Sequence, residues 1–270
     1  MGDLWVAAVL GIVEGITEFL PVSSTGHLIV AGHLMNFSGD RAASFEVFIQ
    51  LGAILAVVVL YWRRFTGLIP TKGLRPAQYR GFSGMNGLLL LFLTTLPALV
   101  IGAFAHGAIK RYLFSPETVA LALAVGAVGI LLAEKFRPQP RVTDPDGIGY
   151  GQAFVIGLFQ CIAMWPGMSR SASTIIGGMV SGLDRKSATE YSFLAAVPVM
   201  VAATSYDLYK AWGLLKASDF LFFAVGFAVS FIAAALAVRT FIAAVQRWSL
   251  APYAWYRLAI APIIYFTMSS

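Results

Sequence analysis

Six stretches of the chain are apolar over nearly their whole length, and each is predicted to cross a membrane as a helix, which takes about 20 residues. Two further stretches, residues 3–35 and 149–182, are apolar at both ends but hold prolines and polar residues in the middle. Each of these is predicted to form a re-entrant unit, in which a helix, a turn and a second helix enter the membrane and return on the same side. Such broken backbone is tolerated at membrane depth only inside protein or beside a water-filled cavity. The predicted spans are residues 45–62, 86–106, 117–134, 187–209, 219–245 and 252–268.

The order of these elements repeats. The sequence around Glu14 and Pro21 aligns with that around Gln160 and Pro166 if a one-residue shift is allowed, and three spans follow each re-entrant unit. Because three is odd, the second half is predicted to be inverted relative to the first, an arrangement that recurs in membrane proteins with broken helices. The predicted fold is an all-α polytopic membrane protein, a single integral membrane domain of residues 1–270. Its two repeats are residues 1–134 and 149–270, joined by a proline-rich linker of residues 135–148.

The composition agrees with this fold. The 270 residues are 59% hydrophobic and only 12% charged, whereas soluble domains are about 25% charged. The net charge of +6 fits basic loops beside anionic lipids. The basic residues are scattered rather than gathered in a stripe, so no nucleic-acid partner is expected. Their distribution among the predicted loops favours both termini outside.

The first re-entrant unit carries two carboxylates. Glu14 and Glu18 are four residues apart, so they share one face of a helix. They can bind a divalent cation, since Mg²⁺ and Ca²⁺ prefer oxygen ligands, act as a base, or pair with Arg170 and Arg257. A functional role is favoured because a charge at the centre of a bilayer costs at least about 2.5 kcal/mol. Glu46, near the start of a span, is instead interpreted as a carboxylate that favours the helix dipole.

A polar turn follows these carboxylates. His27 can act as a nucleophile toward phosphorus or as a general acid or base, or it can make a hydrogen bond at a helix start. Ser23 and Ser24 can each be a nucleophile or a donor, and Thr25 is a further candidate to bind a substrate.

The second turn is predicted to bind an anion. Arg170 lies at or near the start of a helix, where free N–H groups and a partial positive charge suit an anion. Its guanidinium matches phosphate oxygens. The alternative is a serine cap with an arginine that reaches to the interface. Arg257, in the last span, is interpreted either as an interfacial anchor or as part of the same site. Further hydroxyl donors are Ser169, Ser171 and Thr174.

Two long motifs resemble the signatures of the BacA-type undecaprenyl-diphosphate phosphatases: EGITEFLPVSSTGH at residues 14–27 and PGMSRSAST at residues 166–174. The resemblance covers essentially the whole chain. It implies a bacterial inner-membrane enzyme that hydrolyses undecaprenyl diphosphate to undecaprenyl phosphate and inorganic phosphate. That reaction recycles the lipid carrier for peptidoglycan synthesis, cell wall biogenesis and cell shape. It also implies bacitracin resistance, because the drug sequesters the diphosphate form.

The resemblance also implies roles for particular residues, a homodimer and a site that faces the periplasm. The motif has Ala172 and Ser173 where many relatives look like Gly-Ala. Glu14 and Glu18 would hold the metal, Mg²⁺ or Ca²⁺. The implied catalytic residues are Glu14, Glu18, Ser24, His27 and Arg170, and the implied substrate-binding residues are Ser23, Thr25, Ser169, Ser171, Thr174 and Arg257.

Two other classes of function compete with a hydrolase. A membrane carrier or flippase for a phosphate-bearing lipid or anion would use the same helix starts and Arg170, and inverted repeats are typical of carriers. A non-catalytic assembly partner is disfavoured, because a scaffold gains nothing from buried charge. The sequence leaves open the nucleophile, the ion, the dimer interface, lipid flipping and the reach of Arg257.

Overall fold

The structure is a computed structural model that describes residues 2–69, 81–113, 115–211 and 219–268. Within these ranges the chain forms helices and no strand. The α-helices are α1 (Gly2–Thr17), α2 (Ser24–Leu34), α3 (Asp40–Leu60), α4 (Trp62–Thr66), α5 (Gly84–Tyr112), α6 (Pro116–Phe136), α7 (Tyr150–Ile162), α8 (Arg170–Val180), α9 (Arg185–Ala211), α10 (Phe220–Arg247) and α11 (Ala251–Met268).

The long apolar helices confirm a multi-pass membrane protein. The described residues contain five helices long and apolar enough to cross a membrane, and these coincide with the first five predicted spans. Large apolar side chains such as Phe92 and Phe104 are exposed on them, as contact with lipid requires. The sixth predicted span coincides with α11, and its membrane crossing stays a prediction. The five helices are Arg41–Leu60, Gly84–Ala105, Pro116–Phe136, Arg185–Lys210 and Phe220–Arg247.

Each broken stretch is a helix, a turn and a second helix, as the sequence predicts. The turns join α1 to α2 and α7 to α8, and both second helices are 11 residues long. Each second helix follows a serine with a left-handed backbone: φ is 73° at Ser23 and 71° at Ser169. Non-glycine residues rarely adopt a positive φ, and such conformations cluster at functional sites. The two turns therefore share one strained backbone feature at corresponding positions.

Small residues let each broken unit pack on a helix of the other half. A Cβ atom added at Gly15 of α1 would lie 2.5 Å from the carbonyl oxygen of Ser230 in α10. One added at Gly157 of α7 would lie 2.7 Å from the carbonyl oxygen of Thr94 in α5. Small residues at helix interfaces in membranes allow this close backbone approach. With α3 packed on α9 and α6 on α11, these contacts bring the two turns together.

Ion pairs fix the linker between the halves. Asp146 accepts hydrogen bonds from the Arg64 guanidinium at 2.6 Å and from the Phe82 N–H at 2.8 Å. Burial raises the pKa of Asp146, but these hydrogen bonds outweigh it and leave the pKa below its ordinary value. Arg185 binds Glu134 with two nitrogens, and Glu134 also accepts from the Leu250 N–H. The Asp146 contacts hold the proline-rich segment against α4 and the residues before α5, and the Glu134 contacts join the end of α6 to the starts of α9 and α11.

Candidate active site

Arg257 lies where the two turns meet. It is fully buried, so it is not an interfacial anchor. A guanidinium has five N–H donors, and Arg257 directs five hydrogen bonds of 3.0 to 3.4 Å at backbone carbonyls. All five N–H groups are used in these hydrogen bonds, so none is left to bind a phosphate. The geometry therefore gives no support to the predicted substrate contact and favours a role as a clamp that holds the two turns and α6 together. The acceptors are the carbonyls of Pro21 from the first turn, Gly167 and Met168 from the second, and Ala122 and Leu123 from α6.

The Glu18 carboxylate connects the two turns. Its Oε1 accepts from Arg170 Nη2 at 3.1 Å, and its Oε2 accepts from Ser24 Oγ at 2.6 Å. Both members of the ion pair are largely buried, with side chains 7% and 13% exposed. Arg170 also donates to the Ser192 carbonyl, while its Nε is buried and has no partner in the described part of the chain. The predicted carboxylate, hydroxyl and guanidinium are therefore brought together.

A polar cavity of about 190 Å³ adjoins this group. Helices α2 and α8 both begin at its wall, so the free N–H groups and the positive dipole ends of two helices lie beside it. Such helix starts suit an anion. The lining residues are Glu18, Ser23, Ser24, Thr25, Gln50, Ala163, Pro166, Gly167, Ser169, Arg170 and Met200.

The other hydroxyls of the second turn lie behind the cavity wall. Ser171 donates to the Leu20 carbonyl at 2.8 Å, and Thr174 donates to the Arg170 carbonyl at 2.9 Å. Both side chains are fully buried. Ser169 caps α8 by accepting from the Ala172 N–H at 3.2 Å. Ser171 and Thr174 thus support the turn, whereas Ser169 lines the cavity and also caps the helix.

His27 lies against α11 and is not among the residues that line this cavity. Its Nδ1 is 2.7 Å from the Ser23 carbonyl oxygen, and its Nε2 is 2.6 Å from the Tyr256 hydroxyl. A carbonyl oxygen only accepts, so Nδ1–H donates to Ser23 and Nε2 accepts from Tyr256. The rings stack with centroids 5.6 Å apart. This is the hydrogen bond at a helix start, and a role as nucleophile stays a prediction.

Glu14 fits a site for a cation. It is 1% exposed, and its Oε1 has no hydrogen-bond partner among the described residues. The negative charges of Glu18 and Glu46 repel that of Glu14, and a bound cation would offset this repulsion. No three His, Cys, Asp or Glu side chains in the described ranges form a metal cluster. Glu14 and Glu18 would therefore supply two ligands of Mg²⁺ or Ca²⁺, with hydroxyl, water or substrate oxygens as the rest.

Two residues at the site are not among the candidates predicted from the sequence. Gln50 lines the cavity from α3, and Tyr256 binds His27 from α11. A signal for Gln50 exists, because a polar side chain inside an apolar span is a candidate functional group. It also lies one turn after Glu46 on the same face of α3. For Tyr256 the sequence offers no signal, since a tyrosine near the start of a span is typical of the membrane interface.

Comparison with known proteins finds similarity along the whole chain. Residues 7–263 match the family described as bacitracin resistance protein BacA. A relative named undecaprenyl-diphosphatase from Nitratidesulfovibrio vulgaris (strain DP4) is 58% identical over 269 residues, which is 100% of both chains. Relatives with the same name from Maridesulfovibrio salexigens and Desulfovibrio desulfuricans are 58% and 54% identical, with 100% and 99% of both chains covered.

Proposed function

The chain belongs to the bacitracin resistance protein BacA family, and we propose that it is an undecaprenyl-diphosphatase acting in the polar cavity. The reaction converts undecaprenyl diphosphate and water to undecaprenyl phosphate and inorganic phosphate. One observation carries the proposal: the Glu18 carboxylate joins Ser24 to Arg170 beside two helix starts, inside a helical membrane protein. Phosphoryl transfer depends mainly on positioning and on stabilisation of charge, and this arrangement supplies both.

The diphosphate binds at the two helix starts. The backbone N–H groups that begin α2 and α8 face its oxygens, and Arg170 adds a positive charge and its unpartnered Nε–H. The hydroxyls of Ser23 and Thr25 line the same cavity and donate further hydrogen bonds, while Ser169, whose hydroxyl is hydrogen-bonded to Ser171, holds the start of α8 beside the diphosphate. A divalent cation on Glu14 and Glu18, when bound, neutralises part of the negative charge of the diphosphate.

Ser24 is the nucleophile in this proposal. Its hydroxyl already donates to Glu18 at 2.6 Å, which is the distance between an activated nucleophile and its base. The Oγ–P bond forms at the terminal phosphorus, the bridging P–O bond breaks, and undecaprenyl phosphate leaves with the electron pair while Glu18 takes the proton. The oxygen of a water then bonds to the phosphorus of the phosphoserine, the Oγ–P bond breaks, Glu18 returns its proton to Oγ, and inorganic phosphate leaves with the hydrogens of the water. The rival nucleophiles are His27, which would first have to leave Tyr256, and a water activated by an acid.

The membrane arrangement is part of the proposal. It has six spans and two re-entrant units in an inverted repeat, with α1, α2, α3, α5 and α6 corresponding to α7, α8, α9, α10 and α11. Support comes from the reciprocal packing of α1 on α10 and α7 on α5, and from the left-handed serines before α2 and α8. The protein resides in the inner membrane as a homodimer, its cavity faces the periplasm, and its product re-enters peptidoglycan synthesis. These last features rest on the family resemblance.

Phosphate release in detergent tests the proposal. We expect the purified protein to release inorganic phosphate from undecaprenyl diphosphate, EDTA to stop the release, and Arg170→Ala to abolish it while the protein still inserts into membranes. Thr267→Ala is a matched control, because this hydroxyl lies on α11 and donates only within its own helix. Wild-type activity in Arg170→Ala would contradict the phosphate-binding role.

A carrier or flippase for a phosphate-bearing lipid is the second candidate. The observation that favours it is the meeting of two broken helix pairs whose N-termini face one cavity, a feature of transporters. A pure carrier releases no phosphate in detergent, where no membrane separates two compartments. Absence of release from folded protein, together with transport in liposomes, would select this candidate.

A further inference from the structure

Gln50 places a carboxamide at the cavity from a third element. The residues singled out in the two motifs lie on the re-entrant units, whereas Gln50 belongs to α3. It lines the cavity together with Ser24 and Arg170. The side chain is half-buried, and within the described part of the chain its carboxamide makes no hydrogen bond. Its neighbours Ile49 and Leu51 are apolar.

An amide in this position calls for a partner. Polar groups taken away from bulk water are normally hydrogen-bonded, and a glutamine inside an apolar span faces that requirement strongly. Gln160, which is 3% exposed, meets it for its amide nitrogen by donating to the Thr94 carbonyl at 3.1 Å, whereas its Oε1 has no partner in the described ranges. Gln50 has no such acceptor among the described residues, so its N–H groups are available to a molecule in the cavity.

The neighbours of Gln50 favour an anionic partner. It shares the cavity wall with Ser24, Ser169 and the Arg170 guanidinium, whose Nε–H has no partner among the described residues. The Glu18 carboxylate also lines the cavity, but its two oxygens already accept hydrogen bonds from Arg170 and Ser24, and Glu14 is not among the lining residues. A carboxamide adds two N–H donors to this wall without another charge.

We propose that Gln50 is a substrate-binding residue whose Nε2–H groups donate to the diphosphate oxygens that Arg170 binds. The inference rests on the proposed function for its natural substrate, but it concerns any phosphate group that enters the cavity. The carbonyl oxygen of the same amide is the competing partner, because it would serve a cation rather than a phosphate. If the amide donates to a phosphate, Gln50→Glu should weaken substrate binding. If its oxygen binds a cation, the same substitution should strengthen cation binding.

The test compares Gln50→Glu with Gln50→Leu. Glutamate keeps the shape but replaces the donor by a negatively charged oxygen, whereas leucine removes both polar atoms and suits an apolar span. Loss of a hydrogen bond to a charged group lowers binding affinity by about 10- to 100-fold. We expect kcat/KM to fall about 10-fold in Gln50→Leu and about 100-fold in Gln50→Glu, mainly through KM. Gln246→Glu makes the same change on the exposed face of α10 and should leave kcat/KM unchanged.

Inorganic pyrophosphate binding, measured by calorimetry on the Ser24→Ala background with EDTA present, provides a readout without turnover. We expect both Gln50 variants to bind more weakly than the Ser24→Ala parent, with Gln50→Glu the weaker of the two. Retained activity in Gln50→Glu with a lower Mg²⁺ requirement would overturn the donor role. Unchanged kcat/KM and binding in folded Gln50→Leu would also overturn it. If the wild-type protein releases no phosphate, the proposed function fails, and the pyrophosphate comparison alone decides the role of Gln50.

Discussion

Glu18→Gln removes the negative charge that joins the two turns while keeping the size of the side chain. In the wild-type protein each carboxylate oxygen accepts one hydrogen bond, from Arg170 and from Ser24. A carboxamide has one acceptor oxygen and one NH₂ group, so it can serve only one of these donors and opposes the other. The substitution also removes the base that takes the Ser24 proton in the proposed reaction.

The structure sets the size of both effects. The Glu18–Arg170 pair is largely buried, at 7% and 13% exposure, and leaving one member of a buried pair unpaired costs about 3 kcal/mol or more. Loss of a general base lowers a rate by about 10²- to 10⁴-fold. Arg170 is freed from its carboxylate partner, so phosphate binding is not weakened. At saturating Mg²⁺ we therefore expect a fall in kcat of about 10²- to 10⁴-fold with no increase in KM, together with a lower thermal midpoint.

The assay must separate a base from a metal ligand. Phosphate release is measured in detergent over a range of Mg²⁺ concentrations, because a lost ligand raises the Mg²⁺ needed for half-maximal rate and is offset by excess metal. A lost base leaves kcat low at saturating Mg²⁺. Glu134→Gln, which breaks an ion pair with Arg185 away from the cavity, controls for lost stability. A kcat within threefold of wild type at saturating Mg²⁺ would refute the assigned role of Glu18.

Three further predictions concern the residues around the site. Arg257→Lys is expected to lower the thermal midpoint and abolish phosphate release, because three ammonium donors cannot replace five to the carbonyls of both turns; an unchanged unfolding curve would contradict the clamp. Gly15→Ala is expected to destabilise the protein by about 1–3 kcal/mol, because its Cβ would lie 2.5 Å from the Ser230 carbonyl oxygen. Ala235→Gly, on the half-buried surface of α10, is a control for the effect of helix propensity alone. Equal stability of Gly15→Ala and wild type would exclude the close contact. Asp146→Asn is expected to lower the thermal midpoint at neutral pH, because a carboxylate whose folded pKa is depressed stabilises the fold above its unfolded pKa and loses that contribution as pH falls through the folded value. The difference in thermal midpoint between Asp146→Asn and wild type should therefore become smaller below about pH 4. A difference in thermal midpoint that is constant with pH would contradict the ion pair with Arg64.

The sequence predicts the helical plan because apolar runs and prolines are local signals. The first five spans and both broken units follow from them. The predicted span of residues 86–106 matches the candidate span Gly84–Ala105, but the helix itself, α5, continues beyond the span to Tyr112. Basic residues in its last turn favour a helix C-terminus rather than break it.

The sequence predicts those residues of the candidate site that are charged, because a charge within an apolar segment is costly and therefore indicates a function. Glu18 and Arg170 stand out in apolar surroundings, and the structure pairs them. Partners that depend on packing over long sequence distances do not stand out. Tyr256 meets His27 across 229 residues, and the five carbonyl acceptors of Arg257 come from three segments of backbone, whose positions no side-chain pattern reveals.

In the proposed reaction the Ser24 hydroxyl, which is hydrogen-bonded to Glu18, receives the phosphoryl group. The most direct measurement is rapid quenching of the enzyme with undecaprenyl diphosphate labelled in its terminal phosphate, followed by mapping of the labelled peptide. We expect a transient acid-stable label on Ser24, present in His27→Asn and absent in Ser24→Ala. Acid-labile label on His27, or label that persists in Ser24→Ala, would contradict this reaction.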